Sequence, residues 1–234
     1  MLSAAQVNPP IKAILKTFMQ IDDAAIGSVP MCGPLILATN HINWLDAPVG
    51  FSHMHPRPLT AFAKIETWDN FMMRQLFNAW DAIPINREEI DSSAFRRGEE
   101  ALKEGKIIAI APEGTRSNDG ILNIGHPGIV VLALRSGAPI LPFVFYGNEY
   151  YKYNLKKLRR TIMIMKAGAP FTLKKVAGTP DRMLRKQMTD AIMYEISRLL
   201  PEAYRGVYTA IDPAYRQYLE FINPGAENFI VQSS

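Results

Sequence analysis

The chain has 234 residues, of which 48% are apolar, 21% charged and 10% aromatic. That is enough apolar surface for a packed core, and it excludes a chain that is disordered throughout. The single cysteine, Cys32, excludes an internal disulfide framework, and a formal net charge of +4 does not demand nucleic acid as a partner.

Residues 1–20 lack the basic start and continuous apolar run of a secretory signal. Val7, Ile11, Ile14, Leu15, Phe18 and Met19 recur at spacings of three and four. This predicts an amphipathic helix over 7–21, with Pro9 and Pro10 in its first turn and Lys12 and Lys16 on its other faces. Such a helix either docks on the core or lies in a membrane interface with its lysines flanking the apolar side. Beyond it, strand-like apolar runs at 35–39, 59–63, 83–85, 106–111, 140–146 and 161–167 alternate with helical patterns at 45–52, 68–80, 92–104, 127–136 and 181–199. Asp91 or Ser92 can cap the third of these helices and Gly105 ends it; Pro127 starts the next and Gly137 ends it. Alternation with nearly all-apolar strands predicts an α/β fold, a mainly parallel mixed sheet flanked by helices. The most apolar region, 127–147, is interrupted by Arg135, Gly137, Pro139 and Pro142, so it reads as helix, turn and strand instead of a membrane span. The expected organisation is an N-terminal helical piece (1–28), one large domain (29–222) and a polar tail (223–234).

Three segments carry candidate chemistry. The run at 35–39 ends in Asn40-His41-Ile42-Asn43-Trp44-Leu45-Asp46. On a regular helix a spacing of five puts His41 and Asp46 about 140° apart, so they meet only where the chain bends between a strand and a helix. That is the edge where open α/β sheets place their ligands. An imidazole held by a carboxylate is a competent general base near neutral pH. No Ser or Cys of elbow type is present, so the base would act on a hydroxyl of the substrate. The second segment, Pro112-Glu113-Gly114-Thr115-Arg116-Ser117, follows a strand-like run and has the composition of a compact anion site. The third, Ile83-Pro84-Ile85-Asn86-Arg87, brings a second arginine to a strand end. Two planar guanidinium forks suit one phosphate monoester. Each segment alone also reads as an ordinary turn.

In order along the chain, these segments and Ile140-Leu141-Pro142-Phe143-Val144 resemble the four motifs of the glycerolipid acyltransferases, in particular the 1-acylglycerol-3-phosphate acyltransferases. The resemblance covers roughly residues 30–170. It implies that His41 deprotonates the hydroxyl of a lysophospholipid acceptor, which attacks an acyl thioester of coenzyme A or acyl carrier protein, while Asp46 orients His41. It links Arg87, Glu113, Gly114, Thr115 and Arg116 to the acceptor's glycerol phosphate, and Pro142 to the acyl donor or the shape of the site. No metal or redox cofactor is needed. The protein would be cytoplasmic and peripheral to a membrane surface. Two positions depart from the family: Asn43 replaces a frequent Ser, and Asp81 replaces a usual Gly. An acidic Asp81 would repel a phosphate or favour a cationic head group, which leaves open a lyso-aminolipid or glycolipid acceptor. A non-catalytic lipid-binding module also stays open.

Other features have plainer readings. His53 and His55 lack further ligands in a metal-binding pattern, and His126 reads as a helix-entry residue. Trp68, Phe71, Met72, Leu76 and Phe77 read as core packing before an acyl-chain tunnel or membrane contact. Residues 150–160 mix three tyrosines with five basic side chains, which suits a solvated loop or a surface for anionic head groups.

Overall fold

A computed structural model describes residues 2–86, 91–176 and 178–222. Arg87 and the predicted tail 223–234 therefore lie outside the described residues. The elements are α1 (Ala4–Phe18), β1 (Met19–Asp22), β2 (Leu35–Thr39), α2 (Asp46–Met54), β3 (Leu59–Lys64), α3 (Phe71–Ala79), β4 (Ile83–Ile85) and α4 (Ser92–Lys103). They continue as β5 (Ile107–Ile110), α5 (Gly128–Ser136), β6 (Ile140–Tyr146), α6 (Tyr151–Lys156), β7 (Thr161–Ala167), β8 (Phe171–Leu173), α7 (Arg182–Leu199) and β9 (Leu219–Phe221).

The sheet runs β1-β7-β6-β2-β5-β3-β4, with β8 paired to β6 and β9 to β8. From β6 across to β4 all neighbours are parallel; β7 is antiparallel to β6, and β1 is parallel to β7. The predicted mainly parallel mixed sheet is thus the observed one. Strand alternation divides the core in two. Ile36, Ala38, Ile108, Ile140 and Val144 face a cluster that includes Ile129 and Leu132 of α5 and Met188, Ile192 and Ile196 of α7. Leu35, Leu37, Ile107, Leu141 and Phe143 face Leu15 of α1 and Val49 of α2.

Helix ends follow local capping chemistry. Asp91 caps α4: its Oδ1 accepts from Ala94 N at 2.9 Å and its Oδ2 from Asn86 N at 3.1 Å. These bonds and that from the Ser93 hydroxyl hold the Asp91 carboxyl down at about 2. Gly137 ends α5 with φ of 65°, a conformation that favours glycine.

Several sequence expectations change. The first helix spans Ala4–Phe18, not 7–21, because the Gln6 side chain accepts from Ser3 N at 2.9 Å and starts the helix earlier. Pro9 and Pro10 consequently sit in its second turn, and Met19 opens β1 beside Thr161. The 68–80 pattern divides at Asn70, whose side chain accepts from Met73 N and caps α3. Phe71 and Met72 are then 70% and 74% exposed, so they are not core; Phe77 packs on Trp80, which stacks on Phe51. Asp81 lies on the edge of the sheet opposite to His41. Its φ of 52° explains the usual glycine there, and its carboxylate pairs with Lys106 Nζ at 2.6 Å. On that far edge, and paired with Lys106, Asp81 is placed neither to repel an acceptor phosphate nor to attract a cationic head group beside His41. On the same far edge the buried Arg57 donates to the carbonyls of Pro30, Gly33 and Gly105, tying together the entries to β2, β3 and β5.

The C-terminal half is stitched by tyrosine hydroxyls. Tyr204 donates to Glu149, Tyr208 to Asp190 and Tyr215 to Glu195. Burial first, and then these carboxylates, push Tyr208 and Tyr215 up to about 12 and Tyr204 upward as well. A raised folded pKa stabilises the protein fully below the unfolded tyrosine value of about 10, and that stability is lost as pH rises towards the folded value. Thermal melts should therefore fall steeply from about pH 10 upward, together with the appearance of tyrosinate absorbance. A melting temperature that stays flat across that window would contradict this account.

Candidate active site

Because β2, β5 and β6 are parallel, their C-terminal ends share one edge of the sheet. His41 follows β2, Glu113 follows β5 and Asn148 follows β6. The turn after β2 is built on side-chain to backbone bonds. Asn40 Nδ2 donates to Phe145 O at 2.8 Å and its Oδ1 accepts from Phe145 N at 2.9 Å, which fastens the end of β2 to β6. Asn43 Oδ1 accepts from Leu45 N at 2.9 Å, closing the bend that leads into α2.

That bend brings the predicted pair together. His41 Nδ1 lies 2.8 Å from Asp46 Oδ2. The same oxygen accepts from Ile42 N at 2.7 Å and Asn43 N at 3.0 Å. Oδ1 accepts from Asn148 Nδ2 at 2.7 Å. Asp46 also sits in the first turn of α2, where a helix favours negative charge. With a carboxylate as its neighbour, Nδ1 carries the proton and Nε2 keeps its lone pair. Among the described residues no hydrogen bond engages Nε2, and the His41 side chain is 26% exposed against 6% for Asp46. A base presented outward on a buried carboxylate can take a proton from a hydroxyl.

The 112–117 segment lies against this turn. Ser117 N donates to His41 O at 2.8 Å and Asn118 N to Ile42 O at 2.9 Å. Gly114 has φ of 66°, and a Cβ there would lie 3.3 Å from His126 Cδ2, so the chain is drawn close beneath that ring. Thr115 and Arg116 are exposed, one and two residues before the Ser117 anchor. Glu113 behaves differently from its neighbours. It is 2% exposed, and its two oxygens accept from His41 N at 2.9 Å and Asn123 N at 2.8 Å. Burial pushes its carboxyl up, opposed by those two N–H bonds and by His41. Its side chain thus holds the His41 turn from behind and does not face the surface that Arg116 shares. Pro142 is buried within β6 against Gly168 and does not join the cluster. His53 is buried in α2, with Nδ1 at 3.0 Å from Val49 O.

Sequence reasoning missed Asn148 and Asn123. Asn148 follows Gly147 at the end of a buried parallel strand, and the rule that ligand sites gather at such ends would have pointed there.

Comparison with known proteins adds to this geometry. The sequence model of the acyltransferase family matches residues 23–146, more than half of the chain. A 1-acyl-sn-glycerol-3-phosphate acyltransferase of Bacillus subtilis is 26% identical over 172 residues, covering 74% of this chain and 84% of that protein. One from Borreliella burgdorferi is 28% identical over 131 residues, and those cover 55% of this chain and 52% of its own length. The crystal structure of the 1-acyl-sn-glycerophosphate (LPA) acyltransferase PlsC from Thermotoga maritima shares the fold, with a TM-score of 0.57 at 20% identity over 81% of this chain and 77% of that one. A match over more than half of its length assigns the chain to the acyltransferase family, and the protein is an O-acyltransferase.

Proposed function

We propose that this acyltransferase moves a fatty acyl group from a thioester of coenzyme A or acyl carrier protein to the free hydroxyl of 1-acylglycerol 3-phosphate, a step of phospholipid biosynthesis. The observation that carries the reading is the His41–Asp46 pair, whose Nε2 is left open on the edge where the Arg116 loop is fastened. His41 Nε2 takes the hydroxyl proton as the oxygen attacks the thioester carbonyl. The imidazolium that forms is balanced by Asp46. Collapse of the tetrahedral intermediate breaks the carbon–sulfur bond, and the leaving thiolate takes the proton from His41. Thr115 and Arg116 take the acceptor phosphate; Arg87 is proposed to join them from outside the described residues.

The test is thiol release with both donor types against a panel of lysolipids. The phosphate-bearing acceptor should be fastest. Arg116→Ala should raise the acceptor KM about tenfold or more, since a charge-assisted bond to phosphate contributes about 1.5–3 kcal/mol. The donor KM should stay unchanged. Equal turnover of acceptors without phosphate would overturn the acceptor assignment, and lipid binding without thiol release would overturn transfer itself.

The same reading places the protein peripherally on the cytoplasmic side of a membrane. No helix among the described residues is long and apolar enough to cross one. Support for surface binding comes from the region beside the catalytic turn. Trp44, within that turn, is 49% exposed and donates from Nε1 to the Tyr151 hydroxyl at 2.7 Å. Tyr153 and Leu155 are more than half exposed, and Leu158 is 95% exposed among Lys156, Lys157 and Arg159. Apolar tips between cations suit an anionic interface. Leu158→Glu should reduce co-sedimentation with phosphatidylglycerol vesicles while turnover of a water-soluble acceptor is retained; unchanged sedimentation would move the contact elsewhere.

A further inference from the structure

On the β1 edge of the sheet a second cavity, of about 360 Å³, is lined by residues that take no part in the His41 turn. Lys12 and Lys16 reach it from α1, Met19 from β1, Asp23 from just beyond that strand, His53 from α2 and Arg160 from just before β7. Its charge is unbalanced: three cations face one carboxylate. Lys12 Nζ is 3.8 Å from Asp23, which leaves Lys16 and Arg160 uncompensated in the lining. Like charges four apart on one helix are unfavourable, so Lys12 and Lys16 together cost stability unless something negative lies between them.

Two observations show that the cavity is built and is not a chance gap between surface side chains. Arg160 is fixed at its mouth: Nε donates to Met19 O at 3.2 Å, and Nη2 donates to the same carbonyl. His53 is 6% exposed and held from behind, because Nδ1 can only donate to Val49 O at 3.0 Å. The proton is thereby kept on Nδ1. Nε2 is unprotonated in the neutral ring and has no hydrogen-bonded partner among the described residues. A buried imidazole in the wall of a cationic cavity is a group that gains a proton when an anion enters.

We propose that this cavity is a second anion site, separate from the acceptor site, and that it binds a phosphate group between Lys12, Lys16, Arg160 and His53. The anion accepts bonds from the two ammonium groups, the guanidinium nitrogen that does not bond Met19 O, and the imidazolium that forms at His53. Burial, then Lys12 and Lys16, disfavour that imidazolium, while Val49 O and Asp23 oppose the shift. A bound phosphate reverses the balance, so its affinity rises as pH falls through the titration of His53. Two sources share this chemistry: a soluble phosphate compound, or the head group of an anionic lipid under the protein.

The experiment follows the four histidine rings of the full chain by NMR during titration with inorganic phosphate. The His53 signals should shift and its apparent pKa should rise. The double substitution Lys12→Gln and Lys16→Gln, at side chains that are not buried, should weaken phosphate binding about tenfold or more. Asp23→Asn should tighten it. Acyl transfer by these variants at saturating substrate should match that of the unaltered chain, so failure here leaves the proposed reaction untouched. Phosphate that leaves His53 unmoved, or that moves it equally in the double variant, overturns the site. Vesicles of phosphatidylglycerol, set against phosphatidylcholine, then identify the source. Competition with inorganic phosphate assigns the site to a lipid head group, and its absence assigns it to a soluble phosphate.

Discussion

Replacing His41 with alanine should slow acyl transfer by about 10²–10⁴ or more, the usual worth of a positioned general base. The fold should survive, because the His41 ring is partly exposed and its polar contact is to Asp46. Far-ultraviolet circular dichroism and the melting temperature check the fold, and single-turnover kinetics check the step. Asp46→Asn should behave otherwise. Asp46 accepts four hydrogen bonds, from the imidazole, two backbone N–H groups and Asn148. An amide presents one acceptor oxygen in place of two, so the turn loosens and the wrong imidazole tautomer is favoured. That variant should lose stability as well as rate. Turnover retained by His41→Ala would remove the base from the mechanism, whatever happened to Asp46→Asn.

Glu113→Ala should give the largest loss of stability among substitutions around the site. The carboxylate is the acceptor for His41 N and Asn123 N, and without it both N–H groups lose that partner in a buried setting. Each such loss costs about 1–3 kcal/mol. For a chain of this size each kcal/mol lowers the melting temperature by about 2–4 °C. Glu113→Gln keeps the volume and one acceptor, so it should lose about half as much. Both variants should also lower kcat, since the carboxylate fixes the backbone of His41, the proposed base. Their acceptor KM should change less than that of Arg116→Ala. A rise in acceptor KM with no change in melting temperature would show that Glu113 faces the substrate after all.

Much of this molecule is legible in its chain. The strand and helix alternation follows from apolar runs whose residues face two cores in turn, as Leu35, Ile36, Leu37 and Ala38 do. The apolar period starts the first helix three residues late, because the true start rests on the capping bonds between Ser3 and Gln6, a weaker pattern than the period behind it. β1 overlaps the apolar period read as helix 7–21, and β8 and β9 each set one polar residue, Thr172 or Glu220, between two apolar ones, so neither forms an apolar run. The exposure of Phe71 and Met72 is hidden for a different reason: an apolar stripe on a helix does not say whether anything covers it.

Local order along the chain determined that His41 and Asp46 meet, because a strand end, a bend and a helix start lie within the eight residues from Thr39 to Asp46. What stands behind them was decided by the order of strands in the sheet. Glu113 reaches His41 from 72 residues away, and Asn148 reaches Asp46 from 102. Each is an unremarkable polar residue after a strand, and each gains its place because β2 is inserted between β5 and β6. The phosphate cavity has the same origin, since its lysines, histidine and arginine come from segments that touch only once the edge of the sheet is closed by α1 and β1. Spacing can express a contact between neighbours in the chain, whereas a contact between distant segments depends on which strands lie side by side.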